Sequence, residues 1–109
     1  MGRLDRFYFG TNTKMYKTIA ETASFLAELA ELTRKIDRSK ATLFVIPSFT
    51  ALQTAGPIAR VGEILLGAQN MGWEMEGPFT GEVSPRMLQE VGVAIVEIGH
   101  SERRHVLGE

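Results

Sequence analysis

A regular alternation between short apolar runs and helix-start signals is the feature that most constrains the fold. Residues 6–11, 42–46, 64–69 and 93–98 are apolar runs too short to be ordinary helices, and most are rich in branched or aromatic side chains. The stretches between them have the length that right-handed crossovers between parallel strands require. The sequence therefore predicts an α/β protein with four strands in a parallel sheet.

Helix-start signals fall between these runs. Thr18 and Glu21 have the spacing of a capping box, in which each side chain satisfies a backbone donor at the start of a helix. Ser84 followed by proline is typical of a second start, and Gly92 of the end of that helix. We predict helices over residues 18–36, 48–59 and 84–92, and a long recognition loop over residues 70–82.

Composition excludes several classes of binding partner and indicates the cellular compartment. The chain has 12 basic and 13 acidic side chains, a balance that disfavours binding to nucleic acid or to an anionic membrane surface. No apolar run reaches the roughly 18 residues of a membrane span, and the first residues lack a signal-peptide core. With no cysteine, disulfide scaffolds and thiolate metal sites are excluded. We expect a cytoplasmic protein.

Polar residues directly after the strands are the candidates for function, because ligands of α/β proteins meet the carboxyl ends of parallel strands. These residues are Asn12, Lys14, Ser48, Gln69, Asn70, His100, Ser101 and Glu102. A lysine cation and an imidazole in such a set suit proton transfer beside the carbonyl of an anionic substrate. No metal is expected, since the two histidines have no third ligand at metal spacing. The aromatic residues 7–9, Trp73 and the five methionines are predicted to be core.

Four motifs, in order along the chain, resemble the triosephosphate isomerase family. They are GTNTKM at 10–15, GAQN at 67–70, GPFTGEVSP at 77–85 and EIGHSERR at 97–104. The last is similar to the segment around the family's catalytic histidine and is the most specific of the four. Chance could produce one such motif, but it does not explain four motifs in the same order through nearly the whole chain.

The resemblance implies a (β/α)8 barrel of which residues 1–109, as a single domain, form about the first four βα units. It implies interconversion of glyceraldehyde 3-phosphate and dihydroxyacetone phosphate in glycolysis and gluconeogenesis, with no cofactor. Asn12 and Lys14 would bind the sugar phosphate, and Glu102 would belong to the catalytic network. His100 would polarise the carbonyl; this family is the standard example of a neutral imidazole in that role.

The resemblance also implies a homodimer in which Thr80 enters the neighbouring subunit, supported by Gln69 and Glu82. Two positions depart from the family pattern: Thr13 stands where tryptophan is usual, and Tyr16 where asparagine is usual. Both are expected beside the substrate. An isomerase of a four-carbon ketose phosphate, from a related branch of the family, is therefore the alternative.

Length raises a second alternative. A complete barrel of this kind has about 250 residues, whereas the sequence has 109. By the resemblance, the proton-abstracting glutamate, the lid and the phosphate-binding loops would all belong to the other half, and the 109 residues alone would be inactive. The first and fourth strands would be exposed edges that invite pairing with another chain. A non-catalytic half-barrel interaction module is therefore also considered.

Overall fold

The computed structural model describes residues 6–108, which alternate strands with helices. The strands are β1 (Phe7–Asn12), β2 (Ala41–Ile46), β3 (Ile64–Ala68) and β4 (Val93–Val96). The helices are α1 (Ile19–Leu32), α2 (Leu52–Val61), α3 (Pro85–Glu90) and α4 (Ser101–His105), with a 3-10 turn (Phe49–Ala51) leading into α2. The predicted order of elements is confirmed.

The four strands form one sheet in the order β1-β2-β3-β4, and every neighbouring pair is parallel. Each strand is joined to the next by a helix that returns the chain to the same end of the sheet. The predicted α/β class and parallel sheet are thus confirmed, and this arrangement is the one expected of the first βα units of a (β/α)8 barrel. β1 and β4 are the two edge strands.

The core lies between the sheet and the helices on one of its faces. Leu26 of α1 and Val45 of β2 are completely buried, and Leu66 of β3 is nearly so. Ala55 and Ala59 of α2 are also buried in this cluster, and small side chains let a helix approach a sheet closely. This packing fixes the strands, and with them the residues that follow each strand.

Hydrogen bonds of side chains to the backbone mark both ends of α1, and the sequence predicted only the first end correctly. Thr18 and Glu21 form the predicted capping box. The helix ends at Leu32, so the predicted end at residue 36 is wrong. The hydroxyl of Thr33 donates to the Leu29 carbonyl, and Arg38 donates to the carbonyls of Thr33 and Ile36. These bonds satisfy carbonyl groups of the last helical turn and of the non-helical turn that follows it.

The other helix boundaries are close to their predicted positions. Ser84 caps α3 by accepting a hydrogen bond from the backbone N–H of Met87, as predicted. Gly92 has φ +91°, a conformation that glycine adopts without steric cost, and it turns the chain from α3 into β4. α2 passes through Pro57 and continues to Val61, two residues beyond the prediction.

Several side chains predicted to be core are exposed. Phe7, Tyr8 and Phe9 of β1 are between 58% and 68% exposed, because the core draws its strand residues from β2 and β3, with β4 packed beside them, and none from β1. Trp73 lies in the long loop and is 78% exposed. Of the methionines, only Met71 packs against the core; Met15, Met75 and Met87 are exposed, and Met1 lies outside the described residues. Aromatic and sulfur side chains are thus not a reliable sign of burial here.

The helices are also short relative to a membrane. Within residues 6–108, every helix is too short or too polar to traverse a bilayer.

Candidate functional site

The loop after β1 is held in one conformation by side chains from three strand ends. The Lys14 backbone N–H donates to the Asn12 Oδ1 at 2.7 Å. The Lys14 carbonyl accepts from Gln69 Nε2 at 2.8 Å and from Ser48 Oγ at 3.0 Å. Lys14 has φ +55°, a left-handed conformation that costs a non-glycine residue about 1 kcal/mol. The surrounding hydrogen bonds offset that cost.

An ion pair joins this loop to the start of α4. Lys14 Nζ lies 2.9 Å from Glu102 Oε2, and both side chains are about half exposed. The hydrogen bond to Glu102, followed by its negative charge, raises the pKa of Lys14. The hydrogen bond from Lys14 in turn lowers the pKa of Glu102. Both groups therefore remain charged at neutral pH.

His100 lies at the N-cap of α4, and 22% of its side chain is exposed. Its Nδ1 accepts a hydrogen bond from the Glu102 backbone N–H at 3.1 Å. A ring nitrogen that accepts a hydrogen bond carries no proton, so the proton of the neutral imidazole is on Nε2. His100 thus offers an N–H donor from Nε2.

Glu97, the first residue after β4, is a member of the site that the sequence reasoning missed. Its Oε1 accepts a hydrogen bond from Asn12 Nδ2 at 2.7 Å, and its Oε2 lies 3.6 Å from His100 Nε2. The available signal was a carboxylate placed directly after an apolar strand, among residues that are otherwise hydrophobic. Such a side chain needs a polar partner.

The contact between Asn12 and Glu97 also shows the shape of the sheet. The two residues lie at the ends of opposite edge strands, which in a flat sheet would be about 14 Å apart at the usual strand spacing. The side chains meet because the sheet curls toward this face. Curvature thus brings together the carboxyl ends of β1 and β4.

Asn12, Lys14, Glu102, His100 and Glu97 form a closed ring of contacts, which we call the rim cluster. A cation, an amide and an imidazole N–H lie in this one ring. Donors of this kind stabilise negative charge that develops on a carbonyl oxygen during a reaction. Among residues 6–108, no group of three side chains has the arrangement of a metal site.

The three residues predicted at a subunit contact, Gln69, Thr80 and Glu82, are not members of this ring. Gln69 contacts the ring through the Lys14 carbonyl. Thr80 and Glu82 lie in the exposed loop between β3 and α3, where Trp73 and Phe79 pack with ring centroids 5.8 Å apart. In the described part of the chain, neither Thr80 nor Glu82 forms a hydrogen bond or ion pair with the rim cluster.

Comparison with known proteins gives a consistent result. The family model described as triosephosphate isomerase matches residues 7–109. The triosephosphate isomerase of Dictyoglomus thermophilum is 45% identical over 95% of this chain and 41% of its own length. That of Carboxydothermus hydrogenoformans is 48% identical over 94% of this chain and 40% of its own length.

Relatives with another name are similar to nearly the same degree. The L-erythrulose-1-phosphate isomerase of Rhizobium etli is 43% identical over 94% of this chain and 38% of its own length. The chain thus spans about two fifths of the length of the curated relatives it matches.

Proposed function

Because the chain belongs to the triosephosphate isomerase family, we propose that the protein isomerises a phosphorylated aldose and ketose through an enediolate, with the rim cluster in its active site. The observation that carries this proposal is the convergence of Lys14 Nζ and His100 Nε2 in one ring of contacts. One supplies a positive charge and the other a hydrogen-bond donor, which is what a developing oxyanion requires.

In the proposed mechanism, a base removes a proton from the carbon next to the substrate carbonyl. The electron pair of the broken C–H bond forms a carbon–carbon double bond, and the carbonyl electrons move to oxygen. His100 donates its Nε2 proton toward that oxygen, and Lys14 balances the negative charge. The base then returns its proton to the former carbonyl carbon, where the electron pair of the carbon–carbon double bond forms the new C–H bond. The hydroxyl on the neighbouring carbon gives its proton to Nε2 of His100 and becomes the new carbonyl.

We propose that the base lies outside the rim cluster. Glu102 accepts a hydrogen bond from the Lys14 ammonium, and Glu97 accepts one from the Asn12 amide, so each carboxylate already has a partner within the ring. The relatives are more than twice as long as the matched region, which leaves room for such a base in a full-length protein.

For the substrate, we propose glyceraldehyde 3-phosphate and dihydroxyacetone phosphate, the pair used in glycolysis and gluconeogenesis in the cytoplasm. The alternative is a four-carbon ketose phosphate, favoured by the relatives named L-erythrulose-1-phosphate isomerase at 43% and 44% identity. The buried Thr13 follows Asn12 directly, and Tyr16 is exposed nearby. The ratio of kcat/KM for the triose and tetrulose phosphates decides between the two.

The decisive variant is His100→Gln in the full-length protein. We expect kcat to fall by about 100-fold or more, because loss of a donor to the developing oxyanion has that effect in other enzymes. His105→Gln is the matched control, since His105 is the only other histidine of the sequence and lies exposed at the end of α4. A wild-type rate for His100→Gln would contradict the assignment of His100.

We further propose that the protein is a homodimer in which the loop containing Thr80 and Glu82 contacts the partner subunit, with Gln69 supporting the loop that it meets. Support comes from the exposed apolar surface of that loop: Trp73 and Met75 are both more than half exposed. Sedimentation equilibrium tests the assembly. Wild-type protein is expected at twice the monomer mass and Trp73→Ser at a larger monomer fraction; a monomeric wild type would refute the dimer.

A further inference from the structure

Glu97 contacts both sides of the rim cluster. Its Oε1 accepts from Asn12 Nδ2 at 2.7 Å, and its Oε2 lies 3.6 Å from His100 Nε2. Two thirds of its side chain is shielded from solvent. The backbone N–H of Glu97 donates to the Ala68 carbonyl, so the position of the residue is fixed as an extension of the sheet.

The contact with Glu97 sets the orientation of the Asn12 amide. An asparagine side chain has a donor end and an acceptor end. A carboxylate only accepts, so it attracts the Nδ2 end and leaves Oδ1 to accept the Lys14 backbone N–H. Rotation of the amide by 180° would place two oxygens against each other and leave the Lys14 N–H facing a donor.

The orientation of Asn12 matters because Lys14 adopts a left-handed conformation with φ +55°. The bond from the Lys14 N–H to Asn12 Oδ1 spans two residues, and this local bond favours the turn that Lys14 requires. From that turn, Lys14 Nζ reaches Glu102. A carboxylate at the end of β4 thus acts on a lysine after β1 through the Asn12 amide.

The other oxygen of Glu97 faces the imidazole. Nδ1 of His100 is occupied by the Glu102 N–H, so Nε2 carries the proton. Glu97 Oε2, 3.6 Å from Nε2, favours the tautomer with the proton on that nitrogen, whereas Glu102 Oε1, 3.6 Å from Nδ1, favours the opposite tautomer. The charge of Glu97 therefore counters that of the Glu102 carboxylate, and the Glu102 backbone N–H, which donates to Nδ1, favours the same tautomer as Glu97.

We infer that Glu97 is a positioning residue for the isomerase reaction: it orients Asn12, and through it Lys14, and it keeps the proton of His100 on Nε2. The inference rests on the proposed function for its catalytic consequence. It assigns Glu97 no contact with the substrate and no role as the base.

A double-mutant cycle in the full-length protein tests this inference. Asn12→Asp alone brings two carboxylates together. Glu97→Gln alone removes the carboxylate that orients the Asn12 amide, so that this amide can rotate, and the amide introduced at position 97 can present a donor to His100. The double variant Asn12→Asp/Glu97→Gln restores the contact with its polarity reversed, while the carboxylate introduced at position 12 still accepts from the Lys14 N–H. We expect each single variant to lower kcat/KM by about tenfold or more. We expect kcat/KM of the double variant to exceed the product of the two single effects by about fivefold or more.

A further readout separates positioning from a merely structural effect. In 15N NMR of the imidazole, the wild type is expected to show the Nε2-protonated tautomer, and Glu97→Gln a mixture of tautomers. Glu90→Gln, a change at an exposed position of α3, is the control and is expected to match the wild type in both kcat/KM and the imidazole spectrum. Glu97→Asp, which keeps the charge but shortens the side chain, is expected to lower kcat/KM if Glu97→Gln does not fold.

The outcomes are distinguishable from failure of the proposed function. If Glu97→Gln keeps kcat/KM within about twofold of the wild type, or if the double variant shows no recovery, the positioning role is wrong. If the wild type is inactive on both sugar phosphates, the proposed function fails. The tautomer change and a coupling between the two substitutions in thermal unfolding would in that case still support the positioning of Asn12 and His100 by Glu97, and their absence would overturn it.

Discussion

Arg38 is expected to be the largest single polar contribution to the stability of this unit. Its guanidinium donates five hydrogen bonds, to the carbonyls of Thr33, Ile36, Gly62 and Glu63 and to the Thr33 hydroxyl, at 2.7 to 3.1 Å. These bonds join the end of α1 to the turn after α2. They lie at the amino ends of β2 and β3, opposite the rim cluster, so the effect should appear in stability and not in activity.

The loss in free energy of unfolding expected for Arg38 variants depends on how many of the five hydrogen bonds are shielded from water. Two of them, to Ile36 and Glu63, are exposed, and water replaces the donor there at little cost. Three are partly buried, and a hydrogen bond of this kind contributes about 1 kcal/mol net. Arg38→Ala should therefore lower the free energy of unfolding by about 3 kcal/mol. Arg38→Lys should lose about 2 kcal/mol, since an ammonium cannot reproduce the planar fork of donors.

Urea denaturation followed by circular dichroism measures these differences, with the slope m checked for constancy. Arg34→Ala is the matched control, because the Arg34 side chain forms an exposed ion pair with Glu31, and such pairs contribute less than about 1 kcal/mol. If the free energy of unfolding of Arg38→Ala lay within about 0.5 kcal/mol of the Arg34→Ala value, a difference typical of surface substitutions, the reasoning would be refuted.

Three further predictions concern α1 and the ion pair. Thr18→Ala removes the capping box and should cost about 1 kcal/mol in urea denaturation; no change would show that the cap is dispensable. Leu26→Ala opens a cavity at a fully buried site and should cost about 3 kcal/mol, whereas Leu32→Ala, which is exposed, should be nearly neutral; equal costs would contradict the described core. The lowered pKa of Glu102 means that its pair with Lys14 stabilises the fold above about pH 4.5 and that this is lost as pH falls through the folded pKa. The difference in melting temperature between wild type and Glu102→Gln should therefore be present at about pH 7 and shrink as the pH falls below about 4.5; a difference that is the same at every pH would contradict the pair.

Local signals in the sequence predicted much of the fold. The capping box at Thr18 and the serine cap at Ser84 act through neighbouring atoms, so a single segment contains all the information they need. Burial could not be predicted in this way. Phe7 and Phe9 are exposed because β1 contributes no residue to the core, and which strands the helices cover depends on the whole chain.

The residues of the candidate site likewise divide into those that local sequence signals predicted and one that they did not. Asn12, Lys14, His100 and Glu102 were predicted because each lies at or just after the end of a strand, and parallel strands end at one edge. Glu97 was missed because its partner is Asn12, 85 residues away along the chain, and only the curl of the sheet brings them within 2.7 Å. Contacts across a curved sheet depend on curvature that no local pattern specifies.

Proton NMR in D2O tests the central claim most directly. The full-length protein is incubated with dihydroxyacetone phosphate, and the spectrum is followed over time beside a protein-free sample and the His100→Gln variant. Isomerisation through an enediolate predicts that wild-type protein forms glyceraldehyde 3-phosphate with deuterium at the carbon next to the aldehyde, far faster than either comparison sample. Conversion at the protein-free rate, or product that retains only substrate hydrogen at that carbon, would contradict the proposed chemistry of the rim cluster.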